Sequence, residues 1–93
     1  MAKRKQSVPA EVRKRLHRAI LDRDPQEMQL AMLYFPSEEA ATREATRFLL
    51  DETPADTRAW WLEEPCDLPH DPDTELRDSW RTALRFDAER RSN

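Results

Sequence analysis

The chain has 93 residues, a formal net charge of −3, no glycine, seven prolines and one cysteine. This length suits one domain. Without glycine, tight hairpins and phosphate-binding loops that need a residue at positive φ are disfavoured. One cysteine cannot form an intramolecular disulfide, and no run approaches the ~20 apolar residues of a membrane span. We therefore expect a single all-α domain in the cytoplasm, without a metal, a cofactor or a membrane partner.

We expect a flexible basic arm over residues 1–8 and a single helical domain over residues 9–93. Helix 1 is predicted to begin near Ser7 or Val8, with Pro9 in its first turn, and to end near Arg23. One apolar stripe recurs along it at helical spacing: Val12, Leu16, Ala19 and Ile20. The remaining side is polar and mostly basic, and we expect it to face solvent together with His17.

Helix 2 is predicted to begin at Asp24, whose side chain can cap the free N–H groups, and to end near Phe35, before Pro36. Its apolar residues fall on two nearly opposite stripes. The first stripe is Met28, Ala31, Met32 and Phe35; the second is Leu30, Leu33 and Tyr34. We therefore expect helix 2 either to be central in the fold or to present one stripe to a partner.

Three further helices are predicted by proline and capping signals. Helix 3 begins after Ser37 and ends near Leu50, a short helix 4 follows Pro54, and helix 5 runs from 71–74 to about Arg90. The predicted core includes Leu16, Ile20, Phe48, Leu49, Trp80 and Leu84. We expect a compact bundle of about five short helices. Residues 18–25 and 47–54 share a spacing of similar residues, which indicates either two helical hairpins plus a C-terminal helix or a chance recurrence of a common helix–turn–helix pattern.

Charge is segregated along the chain. Residues 1–23 hold eight Lys or Arg against two carboxylates, and residues 24–93 hold eight Arg against seventeen carboxylates. The basic residues of the arm and helix 1 are candidates for phosphate contacts. They are Lys3, Arg4, Lys5, Arg13, Lys14, Arg15 and Arg18. A solvated helix face, or docking of helix 1 on the acidic 51–78 segment, explains the same charges.

The acidic residues that follow helix 4 are candidates for contact with a cationic groove on another protein. They are Glu63, Glu64, Asp67, Asp71 and Asp73. A solvated loop and the N-terminal end of helix 5 explain them equally, since a helix dipole favours negative charge there.

Aromatic residues are the other candidates for partner contacts. Trp60 and Trp61 are about 100° apart on helix 4, so one of the two can stay partly exposed. Tyr34 belongs to the second apolar stripe of helix 2. Tryptophan and tyrosine are enriched at binding hot spots. Burial of both tryptophans in the core is the competing interpretation.

Cys66, Asp67, His70 and Asp71 place ligand-type side chains close together in a proline-rich segment. A zinc site needs three or four protein ligands, and the only other histidine is His17. No general acid and base with a pocket-forming motif can be named either. We expect neither a metal site nor catalysis.

The sequence is typical of a small, non-catalytic accessory or regulatory protein of bacterial or phage type. It is expected to act by binding another protein, with inhibition through an acidic surface as one form of this. The alternative is a nucleic-acid-binding protein that uses the basic arm and helix 1. Two assemblies stay open: a symmetric homodimer, in which the basic region of one chain meets the acidic region of the other, and a monomer whose apolar surplus is buried or reserved for a different protein.

Overall fold

The computed structural model describes residues 8–63 and 72–92, and these residues form five α-helices without a strand. The prediction of an all-α bundle is confirmed. The helices are α1 (Ala10–Leu21), α2 (Pro25–Met32), α3 (Glu38–Glu52), α4 (Ala55–Leu62) and α5 (Pro72–Ser92). The bounds of α5 agree with the predicted helix 5, which was expected to begin at 71–74 and to end near Arg90.

The predicted capping residues begin two of the helices. Asp24 caps α2 by accepting from the backbone N–H of Glu27 at 3.2 Å, and the Ser37 hydroxyl accepts from the N–H of Ala40 at 3.0 Å. Helix α1 instead has Pro9 at its N-cap, with no side-chain cap. Val8, the last residue of the expected arm, is partly buried against the core.

Helix α2 ends three residues earlier than predicted. Beyond Met32 the backbone N–H groups of Leu33, Tyr34 and Phe35 bond three residues back, at 3.1–3.2 Å. This tighter turn precedes Pro36, which disfavours helical geometry at the residue before it. The apolar stripe is nevertheless continuous to Phe35, which is buried.

The turn from α1 to α2 is a Schellman motif, in which the chain reverses after a residue in the left-handed conformation. The N–H of Asp24 donates to the Ala19 carbonyl at 3.0 Å, and the N–H of Arg23 donates to the Ile20 carbonyl at 3.2 Å. Arg23 has φ of 56° and occupies the position that glycine usually takes. In the second turn the corresponding residue, Glu52, is still helical and the next residue, Thr53, is extended, so the two turns differ in backbone.

The helices pack unevenly. Helix α1 has its largest interface with α2, forming a hairpin, whereas α3 packs mainly against α5 rather than α4. The first stripe of α2 faces the core. The buried apolar residues are Leu16, Ala19, Ile20, Met28, Ala31, Met32, Phe35, Ala41, Ala45, Phe48, Leu49, Trp61 and Leu84. Trp80 was predicted to be core but is only partly buried. It lies on the side of α5 that faces α2, where it lines a hollow at the surface.

Helix α4 is anchored through its aromatic pair. The Trp61 indole N–H donates to the Ile20 carbonyl at 2.9 Å, and Trp60 meets Trp61 edge-on with ring centroids 5.0 Å apart. The buried Arg77 guanidinium of α5 lies 5.7 Å from the Trp60 ring centroid and donates to the Glu63 carbonyl at 3.0 Å. These contacts connect α4 to both α1 and α5.

The left-handed residue gives a test of the α1–α2 turn. We expect Arg23→Gly to be more stable than Arg23→Ala by about 1 kcal/mol, because a Cβ is disfavoured at positive φ. Both variants lose the ion pair from Arg23 Nη2 to Asp56 Oδ2 at 3.4 Å, so the comparison isolates the backbone. Urea unfolding measures the difference. Equal stabilities would contradict the left-handed conformation.

The core gives a second test. Leu49 is fully buried, so we expect Leu49→Ala to lower the free energy of unfolding by about 2–5 kcal/mol through lost burial and a residual cavity. Leu33→Ala, at an exposed position of the same residue type, is the control and should change stability by less than about 1 kcal/mol. Similar losses in the two variants would show that the core assignment of α3 is wrong.

Candidate functional site

The second apolar stripe of α2 lies on the surface. Leu30 is 48% exposed, Leu33 is 74% exposed and Tyr34 is 62% exposed. We call these three residues the outer stripe. They are three or four residues apart or adjacent along the chain, so they form one continuous patch at the C-terminal end of α2. One apolar stripe of helix 2 is therefore buried in the core and the other is exposed.

A groove runs beside this stripe, between α2, the start of α3 and α5. Its main part has a volume of about 610 Å³, and α5 lines it with Trp80, Ala83 and Phe86. A second hollow of about 380 Å³ shares Gln29, Glu38 and Trp80 with it and reaches Leu33. We call the two together the α2–α5 groove. Because Leu33 belongs to both features, the outer stripe and the groove form one surface.

Phe86 was not singled out by the sequence interpretation, although it is 67% exposed. The signal was present, because residue 86 lies about 160° away from Leu84 on a helical wheel, off the stripe that carries Leu84 into the core. A large aromatic residue on the polar side of an amphipathic helix is a feature that periodicity can find.

Two hydrogen bonds hold α5 against α2 beside the groove. The Trp80 indole N–H donates to Gln29 Oε1 at 3.1 Å, and Gln26 Nε2 donates to Asp73 Oδ1 at 2.9 Å. Asp73 was a candidate for partner binding. It is exposed, and its carboxylate already accepts this bond within the fold.

The charged residues that line the groove are mainly acidic. Glu38 and Glu39 lie at the start of α3, and Asp87 is buried in the wall on α5. The Asp87 carboxylate accepts from Arg90 Nη2 at 3.0 Å, and Glu39 forms an exposed ion pair with Arg43 at 3.7 Å. The groove lining holds three carboxylates and only Arg90 as a cation, so its local charge is negative.

The basic side of α1 is partly neutralised within the fold. Arg15 forms an ion pair with Glu27, and this hydrogen bond raises the pKa of Arg15 above its ordinary value. The same guanidinium lies 5.8 Å from the Tyr34 ring centroid. Arg18 forms an exposed pair with Asp22 at 3.9 Å. These pairs leave less positive charge on α1 than its sequence indicates.

Arg13 and Lys14 are exposed, and neither forms an ion pair with another residue of the described chain. Docking of α1 on the acidic 51–78 segment was another expectation for this helix. Within the described residues, the one ion pair between residues 1–23 and that segment joins Arg23, beyond the end of α1, to Asp56.

His17 does not face solvent as expected, because α3 covers it. Its Nε2 lies 2.7 Å from Glu44 Oε2, and its ring stacks on Phe48 with centroids 4.0 Å apart and planes 2° apart. Arg47 donates to both oxygens of Glu44, at 2.8 and 3.1 Å. Hydrogen bonds to Glu44 and Glu52 raise the pKa of Arg47. This cluster joins α1 to α3 and serves packing rather than a surface site.

Several predicted site residues do not belong to the surface patch. Trp61 is fully buried with its indole N–H on the Ile20 carbonyl, so of the two candidate tryptophans it is Trp60 that keeps exposed surface. Trp60 is partly buried and Glu63 is exposed, both away from the groove. The remaining candidates lie outside the described residues: Lys3, Arg4, Lys5, Glu64, Cys66, Asp67, His70 and Asp71.

Metal ligands do not cluster in the described part of the chain, where no three His, Cys, Asp or Glu side chains could hold an ion together. The described helices also include none that is long and apolar enough to cross a membrane. Comparisons with protein-family models, curated proteins and solved structures give no match to this chain.

The cluster around Glu44 predicts a pH-dependent stability. Burial raises the pKa of Glu44, but hydrogen bonds from Arg47 and His17 lower it by more, so the pKa lies below its ordinary value. A depressed carboxyl pKa stabilises the fold above the unfolded-state value, about 4.3, and this contribution is lost as pH falls through the folded-state pKa. We expect Glu44→Gln to cost about 1–3 kcal/mol at neutral pH.

Unfolding measured from pH 7 to pH 3 tests this, and the difference between wild type and Glu44→Gln should shrink below about pH 4.5. Glu39→Gln removes an exposed ion pair and should change stability by less than about 1 kcal/mol. A constant difference between wild type and Glu44→Gln across the pH range would contradict the role given to this carboxylate.

Proposed function

We propose that this chain is a non-catalytic accessory protein that binds another protein through the outer stripe of α2 and the α2–α5 groove. The observation that carries the proposal is the exposure of Leu33 and Phe86 on either side of a groove that contains Trp80. Exposed apolar residues that form one patch around a concavity are typical of interaction sites on soluble domains. Scattered single residues would carry no such implication.

The composition of this surface also suits a protein partner. Interface centres are enriched in aromatic residues and surrounded by polar ones, and here Tyr34, Trp80 and Phe86 are accompanied by Glu38 and Glu39. The groove is open along α5 rather than closed around a small molecule, and its two hollows are continuous through shared residues. An inserted helix or strand of another protein fits such a surface.

Binding of this kind would give the chain a regulatory or inhibitory role. A protein that covers a functional surface of its partner changes the partner's activity without chemistry of its own. The sequence assigned this contact to the apolar residues of helices 2 and 4 together with the acidic residues after α4. The main contact is now the outer stripe with the groove, whose carboxylates select positively charged groups on the partner.

The alternative function, nucleic-acid binding, is supported by Arg13 and Lys14. Both are exposed on α1 and neither is paired with a described residue, so they can reach phosphates. Binding that depends on such contacts weakens steeply with salt, because counterions are released from the nucleic acid. Loss of binding in Arg13→Glu/Lys14→Glu, together with such salt dependence, would favour this alternative.

Affinity capture from a lysate of the cells that make the protein, after nuclease treatment, tests the proposal. We expect wild type to retain a defined protein that Leu33→Asp and Phe86→Asp lose, because a charge at the interface centre must be desolvated. Glu63→Lys, at an exposed residue that lines neither hollow of the groove, is the control and should retain the same protein. Both apolar positions are exposed, so circular dichroism should show unchanged folds. Retention by Leu33→Asp equal to that of wild type would contradict the proposal.

A further inference from the structure

We infer that a second copy of this chain occupies the outer stripe and the α2–α5 groove, in a symmetric dimer centred on α2. This inference rests on the proposed protein-binding function and names the partner. It comes from the arrangement of three strips of surface side by side, which are basic, apolar and acidic in that order.

The order of the strips follows from the packing of α2 between α1 and α5. Helix α2 contacts both neighbours. On the α1 side, the Arg15 guanidinium lies over the ring of Tyr34. On the α5 side, Leu33 shares a hollow with Trp80. The outer stripe therefore forms the middle of the surface, with α1 along one flank and the groove along the other.

The two flanks carry opposite charge. Helix α1 holds the cations Arg13, Lys14, Arg15 and Arg18 and the carboxylate Glu11. Glu27 and Asp22 pair with Arg15 and Arg18, so this flank keeps a small positive charge through Arg13 and Lys14. The side chain of Arg18 is 85% exposed. The groove flank is lined by Glu38, Glu39 and Asp87 against Arg90. A partner that matches this surface needs an acidic strip, an apolar strip and a basic strip in register.

A second copy meets that requirement through symmetry alone. A two-fold axis that runs along the outer stripe brings the stripes of the two copies together. It also places α1 of each copy opposite the groove of the other. The basic flank of each copy then faces the acidic flank of the other, so the same pairing occurs twice per dimer, which is the self-complementary pattern of an isologous interface. The net charge of −3 on each copy acts against association, but charges at the interface act over shorter distances.

Sedimentation equilibrium of the full chain, from low to high micromolar concentration, tests the dimer. We expect wild type to dimerise and Leu33→Asp to be monomeric, because that substitution places a charge on the two-fold axis. Leu33 is 74% exposed, so the variant should keep its helical circular dichroism spectrum. Phe86→Asp provides a second variant at the groove and should also weaken the dimer.

A charge swap tests the pairing of the flanks. Glu38→Lys/Glu39→Lys reverses the groove flank, and Lys14→Glu/Arg18→Glu reverses the α1 flank. We expect each variant alone to dimerise about tenfold or more weakly than wild type, because like charges then face each other. An equimolar mixture of the two variants should recover dimers, since both flank contacts again join opposite charges.

Glu63→Lys/Asp56→Lys is the matched control for charge. It changes the net charge as much as the groove variant does, at two exposed residues that line neither hollow of the α2–α5 groove. We expect this control to dimerise at least as well as wild type.

Three results would overturn the inference. Wild type could remain monomeric at high micromolar concentration, or the dimer could persist in Leu33→Asp, or mixing the charge variants could fail to recover dimers. A monomer whose capture of another protein still depends on Leu33 would refute the second copy as partner and leave the proposed function standing. If wild type neither dimerises nor captures a protein through Leu33, both the dimer and the proposed function are refuted.

Discussion

Trp61 is the largest fully buried side chain of the described residues, and its position depends on one hydrogen bond in the core. Its indole N–H donates to the Ile20 carbonyl, in the last turn of α1, which also accepts from the N–H of Arg23. A buried indole without this acceptor would be strongly disfavoured. The bond therefore fixes α4 against the end of the α1–α2 hairpin. Trp60 and Arg77 extend the same attachment to α5.

With α4 and α5 held in this way, the core has room for only one apolar face of α2. Met28 and Ala31 are completely buried in it, together with Leu16 and Leu84 from the flanking helices. A domain of this size buries a limited share of its surface, so a helix that is apolar on two sides must expose one of them. The outer stripe is thus a direct consequence of how the small core is filled.

The sequence predicted the helices because their signals are local. Proline and capping residues act within a few positions, and Asp24 and Ser37 cap α2 and α3 as expected. The earlier end of α2 was missed, because it depends on how far upstream of Pro36 the chain changes to a tighter turn. The left-handed Arg23 was also missed, since arginine gives no local sign of that conformation.

The surface was harder to predict, because it depends on residues far apart in the chain. Two apolar stripes on helix 2 were visible, but they are alike in composition, and only packing against α1, α3 and α5 decides which one is buried. Packing against other helices likewise decides that Trp61 is buried and that Trp60 is only partly buried. The groove joins Gln29, Glu38 and Phe86, which no periodicity within one helix brings together. The contact of His17 with Glu44 spans 27 residues and likewise has no local signal.

The three tryptophans occupy three different environments, and this gives the protein an intrinsic optical label. Trp61 is shielded from water, Trp60 is partly buried beneath a guanidinium, and Trp80 lines the groove with its indole N–H on Gln29. Emission from a shielded indole lies at shorter wavelength than emission from one in contact with water. Covering the groove would therefore shift mainly the Trp80 contribution, while Trp61 supplies a constant internal reference in the same spectrum.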